Sequence, residues 1–143
     1  RCSMMSTSRL ESARDKLGDI RAVLYDVSSD FGSLPTYELL RKFKSAGAYA
    51  PSPVDEPIHW AFNQTRIAYA ELYWMLDREG ETREEVATAT DYVHLAVSDF
   101  NGLLGFQVSE DEDEATQLEQ LKDDLDTVIE NIELALELLG GLK

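Results

Sequence analysis

The chain holds two histidines, and a carboxylate stands three residues before each: Glu56-Pro57-Ile58-His59 and Asp91-Tyr92-Val93-His94. Glu-x-x-His is the motif by which di-iron carboxylate bundles bring a carboxylate and an imidazole to one level of a helical core. Two such motifs, 35 residues apart, would suit a metal centre.

Three geometric tests weigh against that chemistry. Pro57 belongs in the opening turn of a helix and pushes its predecessor out of α conformation, so Glu56 is a cap and not a face partner of His59. Successive helical residues turn by about 100°, which sets His94 about 100° and Asp91 about 160° from Val93, the centre of its core stripe. By the same count His59 lies about 120° from the middle of its own apolar arc, and Asp91 faces water. Folding the two segments together about Gly80-Glu81 places His94 beside Ile67, leaving the histidines roughly 12 Å apart along the axis. Metal–nitrogen bonds are near ~2 Å, so one ion cannot use both. The expectation is two flank histidines and no bound metal.

Other chemistries leave less trace. The chain has no Gly-rich phosphate loop and no nucleophile elbow. Its single cysteine, Cys2, excludes an internal disulfide and has no histidine nearby in sequence. The run Glu110-Asp111-Glu112-Asp113-Glu114 lacks the glycine and alternate-ligand spacing of a calcium loop, and acids at a helix N-terminus are stabilising in any case. No catalytic residue, cofactor or metal ligand is therefore expected, and the chain reads as a non-enzyme.

The elements carrying these residues are helices. At positions 10, 13, 17, 20, 24, 27 and 31 the residues Leu, Ala, Leu, Ile, Leu, Val and Phe form an unbroken three–four seam that Gly32 and Pro35 end. Leu118, Leu121, Leu125, Val128, Ile132, Ala135 and Leu139 repeat it before Gly140-Gly141, with Ser109 and Glu112 as a capping box. Between them, one helix runs from about Pro57 to Glu79 and another from about Arg83 to Leu104, the latter with Thr82 and Glu85 as its box. Asn101-Gly102 weakens its end. The short link at Gly80-Glu81 makes these two antiparallel neighbours. Residues 32–56 form an irregular connection in which "TYELLRKFKSAG" reads as a short helix capped by Thr36. The fold expected is one all-α domain, an up-down-up-down four-helix bundle with a helical insert between helices one and two and a flexible arm over residues 1–8.

Composition narrows the company such a bundle keeps. The 143 residues carry a net charge of −15, and residues 108–143 hold twelve acids against two lysines. That surface repels nucleic acid and anionic membrane and favours basic partners. No apolar run approaches a membrane span. The first ten residues, "RCSMMSTSRL", carry two arginines, no acid and several serines, as the end of an organellar transit peptide does. A chain opening on Arg1 in this way reads as a processed or a trimmed form.

The second helix holds more apolar residues than its core arc needs. Ile58, Ala61, Phe62, Thr65, Ala68, Tyr69, Leu72, Met75 and Leu76 make a wide inward face, and Trp60, Ile67 and Trp74 fall seven apart on a line about 140–180° away. Such a stripe is covered either by the insert or by a partner, and Trp is a favoured interface anchor. The insert supplies a basic cluster, Arg41, Lys42 and Lys44, which reads either as a solvated face that offsets local acid or as a docking element. These six residues are the candidate partner contacts.

The stretches "RIAYAELYWML", "DYVHLAVSDFNGLLGF" and "DTVIENIELALELLG", with the transit-like start, resemble the PsbQ-type extrinsic proteins of photosystem II, over roughly residues 54–143. The extended Pro-rich N-terminal arm of that family is absent, and the helical insert departs from its pattern. The resemblance implies a lumenal four-helix bundle in the chloroplast thylakoid that serves photosystem subunits as an accessory protein without chemistry of its own. The alternative is a free-standing acidic cytosolic protein of a salt-adapted microbe, dimeric through the Trp60/Trp74 stripe.

Overall fold

The periodic seams fold as their spacing predicts. The computed structural model describes residues 2–35, 38–39, 52–54, 56–105 and 113–142, and among them four helices and no strand occur: α1 (Cys2–Asp30), α2 (Pro57–Arg78), α3 (Glu84–Leu104) and α4 (Glu114–Gly140). Each helix packs on the next in the chain, and α1 packs on α4, so the four close into a ring.

Cross-links fix the antiparallel register. At one end of the ring Arg9 of α1 meets Glu79 of α2 (3.0 Å), and Arg14 Nη1 donates to the carbonyls of Leu139 and Leu142 (3.0 and 2.8 Å). A guanidinium from the first helix thus satisfies acceptors that the end of the last helix leaves open. At the other end Lys122 of α4 donates to Ser28 Oγ and lies over the Phe31 ring.

The ring's interior is apolar. Leu10, Ala13, Leu17, Ile20 and Leu24 of α1 are fully buried, as are Ala61, Ala68, Leu72 and Met75 of α2. Val86, Val93, Phe100 and Leu103 of α3 and Leu125, Val128, Ile132 and Leu139 of α4 complete it. Among the described residues its polar members are Thr65, Thr90 and Gln117. Both threonine hydroxyls donate to the carbonyl four residues back, at 2.7 Å, so neither seeks a ligand.

The helix ends differ from expectation in two places, and a third expected cap lies outside the described residues. Residues 2–8, expected as a flexible arm, are already inside α1, because no glycine or proline interrupts them. Thr82 and Glu85 do not cap α3. Glu81 instead takes the Arg83 backbone N–H (2.9 Å) and its guanidinium (2.8 and 3.0 Å), holding Arg83 extended as the N-cap. That fork holds the Glu81 carboxyl below the usual carboxylate range. The cap of α4 is Asp113, whose side chain accepts from Ala115 N, while Ser109 and Glu112 lie outside the described residues.

Elsewhere the ends match their residues. Pro57 opens α2 and Gly80, at φ 73°, closes it, with Glu79 N and Glu81 N both donating to the Met75 carbonyl. Asn101-Gly102 does not shorten α3, since buried Phe100 and Leu103 hold it to Leu104. Of the expected insert helix, Glu38 and Leu39 are helical and Leu39 is buried; the rest lies outside the described residues.

Among the described residues Phe100 is the bulkiest fully buried side chain, and it leans on Phe62 across α2 and α3, ring centroids 5.8 Å apart. Phe100→Ala is expected to cost about 3–5 kcal/mol in urea unfolding, through lost burial and the cavity left behind.

Candidate functional site: the outer face of the second helix

With the seams filling the ring, the apolar residues left over on α2 define a surface. Ile67 is 45% exposed, Tyr73 53% and Trp74 46%. Trp74 is framed by two guanidinium groups, those of Arg9 and Arg78, each 5.5 Å from its ring centroid. Arg9 is itself fixed by Glu79, whose side chain is nearly buried, and Lys16 pairs with Glu71 at 2.8 Å two turns along the same α1/α2 edge. Trp74 therefore sits on a surface braced by ion pairs, a planar aromatic with cations at its faces.

The structure separates the three residues of the sequence stripe. Ile67 and Trp74 lie open, whereas Trp60 is partly buried against the core. Arg41, Lys42 and Lys44 lie outside the described residues. Sequence reasoning missed Tyr73 and Arg9. Tyr73 stands one residue before Trp74, and its signal was the crowding of aromatics in "ELYWML". Arg9 reaches Trp74 because the α1/α2 register sets residue 9 beside residue 79, which helical phase within one segment does not reveal.

No family model, curated protein or solved structure matches this chain.

The two histidines that opened the question are far from equivalent. His94 is exposed and its ring lies 5.3 Å from that of Tyr69, which in turn lies 6.0 Å from Tyr73. His94 thus belongs to the aromatic row of α2, close to the Ile67 level expected from folding the hairpin. His59 sits in the first turn of α2 with Nδ1 buried, and Asp91 is exposed. Among the described residues no group of three His, Cys, Asp or Glu side chains is placed to hold a metal ion.

One acidic recess occurs between α3 and α4, about 190 Å³, lined by Ser98, Asp99, Gly102, Asp124 and Thr127. Partial burial pushes the Asp99 carboxyl above its usual range, the Asn131 amide (2.8 Å) works against that, and the Asp124 charge adds to it. A carboxyl raised on folding stabilises the fold below its unfolded value, and that contribution is lost as pH rises through the folded one. Asp99→Asn keeps an oxygen for Asn131 and removes the charge. Its Tm is expected to exceed that of the wild type at pH 7, with the gain gone below about pH 4. Thermal melts across pH check this.

Proposed function

We propose that this chain is a non-enzymatic binding subunit that docks on a larger protein assembly through the outer face of α2. The observation that carries the reading is Trp74, half exposed between two arginines on a helix whose inward face is already fully packed. Tryptophan, tyrosine and arginine are the residues in which interface energy concentrates. Ile67 and Tyr73 extend the patch, and the Arg9–Glu79 and Lys16–Glu71 pairs hold its α1 edge in place before a partner arrives, which lowers the ordering cost of association. A core whose polar members are two self-bonded threonines and a glutamine supports a packing role for the interior. The resemblance to PsbQ-type extrinsic proteins supports a photosynthetic membrane complex as the assembly, with a lumenal location.

A second reading rests on the net charge of −15: a free-standing acidic protein of a salt-rich cell, pairing with itself through the same face. Salt separates the two. A salt-adapted protein loses its fold at low ionic strength as self-repulsion grows, while an accessory subunit stays folded there.

The test is the double variant Ile67→Ser/Trp74→Ser. Both side chains are half exposed, so the melting curve is expected to stay near that of the wild type. Co-sedimentation with detergent-solubilised thylakoid complexes is expected to fall at least about tenfold, the size of losing a single strong anchor. Wild-type co-sedimentation by a folded variant rules the face out as the contact.

A further inference from the structure

On the side of the ring opposite the α1/α2 edge, α3 and α4 leave a second groove of about 470 Å³ between them. Its floor is Tyr92 of α3 with Leu134 and Leu138 of α4, all partly buried, and Thr88 adds a small methyl-bearing surface. Leu95, one turn beyond Tyr92, is 49% exposed and continues the apolar strip along α3. The rim is made of acids. Glu85 and Glu137 line the groove and are exposed, and Glu84 and Glu130 stand exposed on the same helices.

Among the described residues no lysine or arginine lines this groove. Arg83, the nearest cation in sequence, is bonded to Glu81 and also feels the Glu85 charge. Among the described residues neither Glu85 nor Glu137 forms a salt bridge, whereas Glu71, Glu79 and Glu81, near the same end of the bundle, each have a cation. Asp123 and Asp124 of α4 extend the negative field along the helix, while Asp126 is paired with Lys122. An apolar trough with an acidic rim matches a ligand with the opposite pattern. Thr88 to Leu95 spans about 10 Å of helix, and a groove of that length takes about two turns of a docked helix.

We propose that the α3/α4 groove binds a basic amphipathic helical segment of a partner protein. Its aliphatic side chains lie on Tyr92, Leu134 and Leu138, and its lysines or arginines pair with Glu85 and Glu137. This site lies between α3 and α4, whereas Trp74 sits by the α1/α2 edge, and it stands independently of the α2 face. A chain carrying both would bridge two partners, one held by aromatic anchors and the other by charge and apolar fit.

Fluorescence anisotropy tests this on the full chain. The probe is a labelled synthetic peptide of about fourteen residues, leucine at i, i+3, i+4 and i+7 spacing and lysine elsewhere, at about 0.15 M salt. Glu85→Gln/Glu137→Gln, two exposed positions that leave packing alone, is expected to weaken binding at least about tenfold, as is Leu134→Asn/Leu138→Asn. Circular dichroism establishes that each variant is folded, and the glutamine variant carries the test if the asparagine one is not. Ile67→Ser/Trp74→Ser is expected to bind the peptide as the wild type does. A peptide of the same composition, scrambled to remove its apolar face, is expected to bind at least about tenfold more weakly. Wild-type affinity in a folded groove variant, or equal affinity for the scrambled peptide, overturns the proposal and assigns the attraction to diffuse acidic charge. Loss of binding in the α2 variant overturns it in favour of the other face. Absence of binding to the wild type, or sedimentation showing that a second copy fills the groove, overturns it as well.

Discussion

Closure of the ring by α1 and α4 is the constraint on which the rest depends. Three helices in sequence would leave the seams of the first and third open on one side. The fourth returns along the first, and Arg14 at one end and Lys122 at the other tie the two together. Once closed, the interior takes up the seam residues of all four helices and almost nothing polar. Ionisable groups are then confined to the edges between helices, where they pair, and to the outer faces, where they meet water. Apolar groups outside the seams have no place in the core. Trp74, Ile67, Tyr73 and Leu95 are half exposed for that reason.

Charge follows the same partition. The α1/α2 edge carries alternating partners, Arg9 with Glu79 and Lys16 with Glu71, so aromatic residues there lie beside cations and near-neutral ground. The α3/α4 side is richer in acids, and partial burial, with the Asp124 charge adding to it, raises the carboxyl of Asp99. The two sides of one bundle thus present different chemistry: planar aromatic and guanidinium groups on one, apolar trough and carboxylates on the other. Such asymmetry selects different partners by potential and by shape.

The sequence made the helices legible because burial has a period. Leu10 through Val27 and Leu121 through Leu139 recur at three and four, and their exposure follows that count. The caps were less legible, because capping is a competition among neighbours. Thr82 and Glu85 have the right types and spacing, yet Glu81 reaches Arg83 first and sets where the helix starts. The outer face of α2 was legible as an excess of aromatics, but its division was not. Trp60 turns partly inward and Trp74 outward, a difference set by what each neighbouring helix offers at that level. The α3/α4 groove was hidden altogether, since it joins Tyr92 to residues some forty positions away. Tyr92 stood within the Asp91–His94 motif first weighed for metal, and its side chain, not the histidine's, lines the groove.

The central claim is that Trp74 faces outward in the free protein and inward in a complex. Trp60→Phe leaves Trp74 as the sole tryptophan, and acrylamide quenching of its fluorescence measures access to that ring directly. The account predicts a red-shifted, readily quenched emission for the free chain, and a blue-shifted emission shielded from quencher once the chain is bound to its assembly. A shielded, blue-shifted emission in the free chain would contradict it, because the ring would then already be covered by the chain's own residues. Unchanged quenching in the complex would contradict it equally.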